Sequence, residues 1–208
     1  MYIPPAFQEL DQAKLFDAIE RHSFGLLISQ LEGELFATHL PLLVDRQAKP
    51  SGQLLGHIAR ANPQWQELNG QTVLAVFSGP HAYITPTWYE AEYVVPTWNY
   101  VAVHVYGKCE VIDDDRETAK IVEDYVETYE RGRPKPWTID SDAPFFEKLV
   151  KMVVGFRIKI SRIEGKWKLS QNHPTERREK VARSLAEESH VDAQAIGRLM
   201  AATLTDRP

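Results

Sequence analysis

Residues 100–112 read Tyr-Val-Ala-Val-His-Val-Tyr-Gly-Lys-Cys-Glu-Val-Ile. Val101, Val103 and Val105 fall on one side of a period-two pattern, and Tyr100, Ala102, His104 and Tyr106 on the other. Successive side chains of extended backbone point to opposite faces, so an alternation this long specifies a strand. Shorter stretches of the same kind surround it. Residues 24–31 and 35–44 form a predicted hairpin turned by Gly33, and residues 54–61, 73–77 and 82–85 are three further predicted strands. Residues 156–160 alternate again, and Glu164-Gly165-Lys166 reads as a turn into residues 167–170, giving a late hairpin. Short strands broken by Gly and Pro favour a mainly β, antiparallel barrel with flanking helices over a doubly wound sheet.

The helical period is confined to the flanks. A first helix is expected over residues 11–22, with Asp11 as its cap, Leu10 and Leu15 as a hydrophobic staple, and Leu15, Phe16 and Ile19 on one face. Ile121, Val122, Tyr125, Val126 and Tyr129 recur at helical spacing over residues 115–130, and Gly132-Arg133-Pro134 ends that helix. A short helix is predicted at 144–153. Two Ala-rich helices are predicted at 176–188 and 192–204, the second capped by Asp192. The expected organisation is a barrel domain over residues 1–172 and a helical tail over 173–208, packed on the barrel or on a dimer partner.

At 208 residues the chain is long enough to bury a core without staples, and its single cysteine, Cys109, leaves no intrachain disulfide. A reducing, cytoplasmic setting follows as the expectation. No window approaches the ~18 apolar residues of a membrane span, so no membrane association is predicted. A net charge of -5 argues against a surface built for nucleic acid. The one basic cluster, Arg177, Arg178, Lys180 and Arg183, is interleaved with Glu176, Glu179, Glu187 and Glu188. That pattern reads as a solvated helix face. The turn between the tail helices lacks the usual glycine, and the second helix is nearly bare of base-reading side chains. Direct DNA binding is therefore not expected.

Four segments carry polar groups suited to a ligand: ATHLPLL, GHIARANPQW, GPHAYITPTWY and PTWNY. His39, His57, His81 and His104 show no HxxxH or HExxH spacing, so they read as structural histidines and no metal site is predicted. In GHIARANPQW an alternating strand ends in Arg60 and Asn62, and an arginine beside open backbone N–H groups suits a phosphate dianion. Neither a Walker lysine loop nor GxGxxG is present. His81, Tyr83, Thr85, Trp88 and Tyr89 of GPHAYITPTWY either cap a barrel end or wall a planar heterocycle. In PTWNY the proline stiffens entry to the long strand and holds Trp98 and Asn99 in place. An Asn amide can donate to a ring carbonyl and accept from a ring N–H at once. With no GxSxG elbow and Cys109 in mid-strand, nucleophilic catalysis has little support, and any chemistry would be carried by a cofactor.

Six collinear motifs, MYIPPAF, ATHLPLL, GHIARANPQW, VFSGPHAYITPTWY, VPTWNY and WKLSQN, together resemble the PaiB-like family of FMN-binding negative transcriptional regulators over residues 1 to about 172. The resemblance implies an FMN-binding split β-barrel of antiparallel, Greek-key type, like that of the pyridoxamine phosphate oxidase and flavin reductase group, a homodimer, and FMN held in a cleft between subunits. By position it implies Arg60 and Asn62 facing the FMN phosphate, assisted by His57 and Thr38. It also implies Trp98 and Asn99 along the flavin, with Lys168 and Gln171 reaching it from the late hairpin of either subunit. The function implied is flavin-linked regulation of transcription. Two alternatives stay open: an FMN-dependent reductase or oxidase acting with NAD(P)H on a small molecule, and a haem-binding split barrel using a histidine as axial ligand.

Overall fold

The computed structural model describes residues 1–141 and 143–205; residues 206–208 of the predicted tail lie outside the described residues. The chain opens with β1 (Gln8–Glu9) and α1 (Gln12–Arg21). Four strands follow, β2 (Phe24–Leu31), β3 (Glu34–Pro41), β4 (Leu43–Asp45) and β5 (Gln53–Ala59), then a single turn, α2 (Trp65–Leu68). Two long strands, β6 (Thr72–Ile84) and β7 (Thr97–Ile112), precede α3 (Asp115–Glu130) and α4 (Pro144–Val150). The last strand is β8 (Val153–Lys168), and α5 (Thr175–Glu187) and α6 (Val191–Thr205) close the chain. The sheet order is β3-β2-β6-β7-β8-β5-β4, with β1 on β8. Pairings β2–β3, β2–β6, β4–β5, β5–β8 and β1–β8 are all antiparallel. This is the mainly β class with flanking helices that the alternation predicted.

The long strand keeps its pattern in the structure: Asn99, Val101, Val103, Val105, Gly107 and Cys109 form its buried face. Asp11 caps α1, its Oδ1 accepting from the N–H groups of Ala13 at 2.9 Å and Lys14 at 3.4 Å. Leu10, in contrast, is 77% exposed while Leu15 is buried, so the predicted staple does not form.

Four sequence-based boundaries are corrected. Residues 73–77 and 82–85 belong to one continuous strand, β6. Gly79 does not turn the chain: a Cβ there would lie 3.0 Å from the Val101 Cβ, so the glycine lets β7 approach closely. Gly165 likewise sits inside β8 and not in a turn, so there is no late hairpin. A Cβ on it would collide with the Leu15 side chain and lie 2.8 Å from the Trp167 ring. The expected strand at 35–44 is broken at fully buried Leu42, whose N–H leaves the ladder to bond the Ser23 carbonyl at 2.9 Å. Asp192 lies within the first turn of α6, not at its cap, and its carboxylate stands 3.5 Å from His81 Nδ1.

The described residues form two compact units. The first comprises residues 1–18, 78–103 and 164–205, the second residues 19–77, 104–141 and 143–163. In the first, α5 and α6 give Val181, Leu185, Ile196 and Met200 to one core with Ile84, Tyr89 and Leu169. The second is built on fully buried Leu27, Leu54, Phe77, Phe156 and Ile158. Within it α3 lays Ile121 and Tyr125 on Leu43, Leu55 and Ile112, and the Tyr125 hydroxyl donates to the carbonyls of Pro41 and Leu55. Cys109 belongs to the second unit and is fully buried; burial pushes its thiol up to about 12, which leaves almost no thiolate near neutral pH. Among the described residues, no helix is long and apolar enough to cross a membrane.

Candidate functional site

The predicted site residues fall into two groups, one in each unit. In the second unit, β5 ends in a turn that carries Arg60 and Asn62. The Arg60 guanidinium is exposed but fixed: Nε donates to the Lys151 carbonyl at 2.7 Å and Nη2 to the Val153 carbonyl at 2.9 Å. It also stacks 5.8 Å from the Trp65 ring, whose indole N–H donates to the Arg60 carbonyl at 2.9 Å. Asn62 donates from Nδ2 to Thr38 Oγ1 at 3.0 Å and accepts the Gln64 N–H on Oδ1, also at 3.0 Å. Thr38 Oγ1 thus accepts a hydrogen bond from Asn62 and can still donate its own hydroxyl proton to another partner. His57, on β5, packs edge-on against Tyr125 with ring centroids 4.7 Å apart.

Gln64 is a residue that the sequence reading missed. It is fully buried, and its Nε2 donates to Ser29 Oγ at 2.9 Å and to the Phe36 carbonyl at 3.3 Å. Its backbone N–H closes the Asn62 turn, so it anchors Asn62 to the β2–β3 hairpin. A glutamine directly after a proline in an Asn-Pro-Gln turn was the only signal available for this role.

Burial holds the His57 imidazole below its ordinary pKa. The unfolded chain therefore takes up the proton first, at a pH near 6.5, and stability falls as the pH drops through that value toward the folded pKa. His173 acts in the same direction, through burial with Arg177 and Lys168 nearby. In denaturant titrations between pH 7.5 and 5, His57→Phe should lose less stability than the unmodified chain. An identical slope would remove His57 from this account.

In the first unit, Trp98 and Asn99 start β7 while Lys168 ends β8. Lys168 Nζ donates to Thr97 Oγ1 and to the Trp98 carbonyl, pinning the strand entry from behind. Burial, with Lys166 close by, lowers the Lys168 pKa. Asn99 is fully buried, and its Nδ2 lies 3.0 Å from Ser170 Oγ and 3.4 Å from Met200 Sδ. Gln171 closes the turn after β8 on itself: Oε1 accepts the Leu169 N–H at 2.7 Å and Nε2 donates to the Trp167 carbonyl at 2.6 Å. Lys168, Asn99 and Gln171 therefore fix the backbone around Trp98, and of these four it is the Trp98 ring, 53% exposed, that stands open to a ligand.

Trp98 faces a cleft of about 490 Å³ within the first unit. Tyr83 meets the Trp98 ring edge-on at 5.8 Å and His81 lies 6.0 Å from it, while Trp88 supplies another wall. Leu185, Glu188, His190 and Ala193 complete it from the tail helices and the turn joining them, and no local pattern in those residues linked them to the aromatic segments. The basic cluster of α5 is partly engaged: Arg178 donates to the carbonyl and hydroxyl of Thr203, and Lys180 pairs with Glu90 and Glu176. Among the described residues, no group of three or more His, Cys, Asp or Glu is arranged to hold a metal.

Comparison with known proteins bears on this geometry at two levels. The backbone is similar to two solved structures under 25% identical, which speak to the fold alone. The flavocytochrome Anf3 from Azotobacter vinelandii matches with a TM-score of 0.60 and 14% identity over 77% of this chain and 69% of that one. The FAD and heme binding protein from Mycobacterium smegmatis matches with a TM-score of 0.60 and 13% identity over 77% and 73%. In sequence, the chain is 37% identical over 202 residues to "Protease synthase and sporulation protein PAI 2" of Bacillus subtilis, covering 96% of both chains. Residues 1–162 match the family described as "Putative FMN-binding domain". With the match running from β1 into β8, this chain belongs to that FMN-binding family and is a relative of PAI 2 over 96% of both chains.

Proposed function

We propose that this chain is a cytoplasmic FMN-binding protein whose role is flavin-linked regulation of transcription, and that the Arg60 corner of the second unit receives the FMN phosphate. The observation that carries this reading is the fixed guanidinium of Arg60, held by two backbone carbonyls yet open to solvent. Such a charge is already oriented before a dianion arrives, so less side-chain freedom is lost on binding. Two residues along the same turn, Asn62 donates to the Thr38 hydroxyl, whose own proton is a further donor of the kind a phosphate needs. FMN, when bound, supplies hydride and electron-transfer chemistry; the chain's own residues bind and orient it. The proposed regulatory role rests on similarity over 96% of both chains to a protein named for protease synthesis and sporulation.

The test separates phosphate from ring. Arg60→Ala should weaken FMN binding, measured by flavin fluorescence quenching, by roughly 10- to 100-fold, the range expected when a charge-assisted hydrogen bond is lost. Riboflavin, which lacks the phosphate, should bind both forms alike, and Arg60→Lys should recover only part of the loss. Equal losses for FMN and riboflavin would sink the phosphate assignment. Homodimerisation belongs to the same proposal: β3 ends the sheet order and exposes Leu35 at 81%, a surface that a second copy would cover. Sedimentation that stays monomeric at all concentrations would remove it.

A further inference from the structure

The cleft beside Trp98 has a chemistry of its own. Its walls are the rings of Tyr83, Trp88 and Trp98, and its floor includes Ala82, Leu185 and Ala193. None of its lining residues is Lys or Arg. Two basic groups of the same unit are directed to other partners, Lys168 to the Trp98 carbonyl and Lys180 to Glu90 and Glu176. Two carboxylates bear on the space: Glu188 lines it, and Asp192 stands 3.5 Å from the lining His81. His190 is the remaining titratable lining group. The volume lies within the ~300–1,000 Å³ typical of small-molecule sites.

Aromatic faces with a carboxylate at the rim, and no cation among the lining residues, are unsuited to a phosphate ester. They suit a positive charge, because the face of an indole or phenol ring carries the negative end of its quadrupole. We propose that this cleft binds a small organic cation, an alkylammonium or quaternary ammonium compound carrying an apolar body, as a ligand additional to FMN. The cation lies against the Trp98 and Tyr83 rings, Glu188 sets the sign of the charge accepted, and the apolar body rests on Leu185 and Ala193. The assignment uses none of the residues proposed for the FMN phosphate, and it gives to a cation the Trp98 ring that the family resemblance would lay along the flavin, so the two readings of that ring exclude each other.

Isothermal titration of the full chain with benzyltrimethylammonium, and separately with benzenesulfonate, tests it. The cation should bind saturably, with the sulfonate at least about tenfold weaker. Trp98→Ala should weaken the cation by roughly 5- to 20-fold, Trp98→Phe by less, and Glu188→Gln by roughly 3- to 10-fold. Both positions are exposed, and circular dichroism of the variants checks that they remain folded. No saturable binding up to about 10 mM, equal binding of cation and sulfonate, or insensitivity to both Trp98→Ala and Glu188→Gln would overturn the proposal. A further titration in the presence of saturating FMN distinguishes it from the flavin assignment. Unchanged cation affinity supports two separate sites, whereas competition would give the cleft to the flavin ring and overturn it. Loss of the Arg60 effect on FMN alone would leave the cation result intact.

Discussion

Gly107→Ala is expected to destabilise the protein by about 3 kcal/mol or more, a fall in melting temperature of roughly 6–12 °C for a chain of this length. The reason is where the new methyl group would go. A Cβ on Gly107 collides with the backbone carbonyl oxygen of Lys159 and lies 2.6 Å from the Ile158 Cγ2. A side chain could swing aside, but a carbonyl of β8 moves only if the strand moves. Gly33 is the control: its φ is +81° and a Cβ there meets nothing within 4 Å. Gly33→Ala should then lower stability by only about 1 kcal/mol, through backbone strain. Thermal unfolding of the two variants side by side reads the difference, and equal shifts would show that the close approach at Gly107 is not the controlling contact.

Phe156→Ala should remove about 3–5 kcal/mol, as expected for emptying a fully buried aromatic site. Phe156 and Gly56 are direct partners across β5 and β8. The phenyl ring occupies the space that a side chain on residue 56 would need: a Cβ there would overlap its Cζ and come within 2.9 Å of the Leu42 Cδ2. The two positions therefore form one packing unit, and their substitutions should not add. Gly56→Ala alone overfills the space and Phe156→Leu alone leaves a gap, whereas the double variant should lose less than the sum of the two, by about 1 kcal/mol or more. Denaturant midpoints for the four proteins of the cycle measure that coupling. Strict additivity would mean that the ring and the glycine are not matched to each other.

These glycines explain what could and could not be read from the chain. The alternation of Val101, Val103 and Val105 was enough to fix the long strand, because period two has one structural meaning over so many residues. Gly165 reads in sequence as a turn, and the gap that holds Gly79 as a break between two strands, because a glycine in a strand has two meanings, a turn or a close approach, and only the neighbouring element decides between them. For Gly165 that neighbour is Leu15, 150 positions earlier. Asn99 shows the same limit for a polar residue. Its place before an alternating strand suggested a group on display, yet it lies on the buried face, where Ser170 and Met200 supply partners that no local pattern announces. Asn62 and Thr38, named together by the family resemblance, are joined by a hydrogen bond, while the Arg60 guanidinium takes the Lys151 and Val153 carbonyls that no local pattern announces. Glu188 reads in sequence as part of a solvated helix face, and nothing marks His190, because tail and aromatic loop meet only in three dimensions.

The helices that complete the first core lie wholly beyond residue 162, where the match to the FMN-binding family stops. The boundary of the recognisable sequence and the boundary of the self-sufficient folding unit therefore differ. A chain cut at residue 162 would retain everything by which its kinship is recognised and would uncover Ile84 and Tyr89, apolar groups that Val181, Leu185, Ile196 and Met200 now shield. In this chain the two tail helices are therefore a lid on the front of the sequence, and polar substitutions at Val181, Leu185, Ile196 or Met200 would act on strands and loops far from them in sequence.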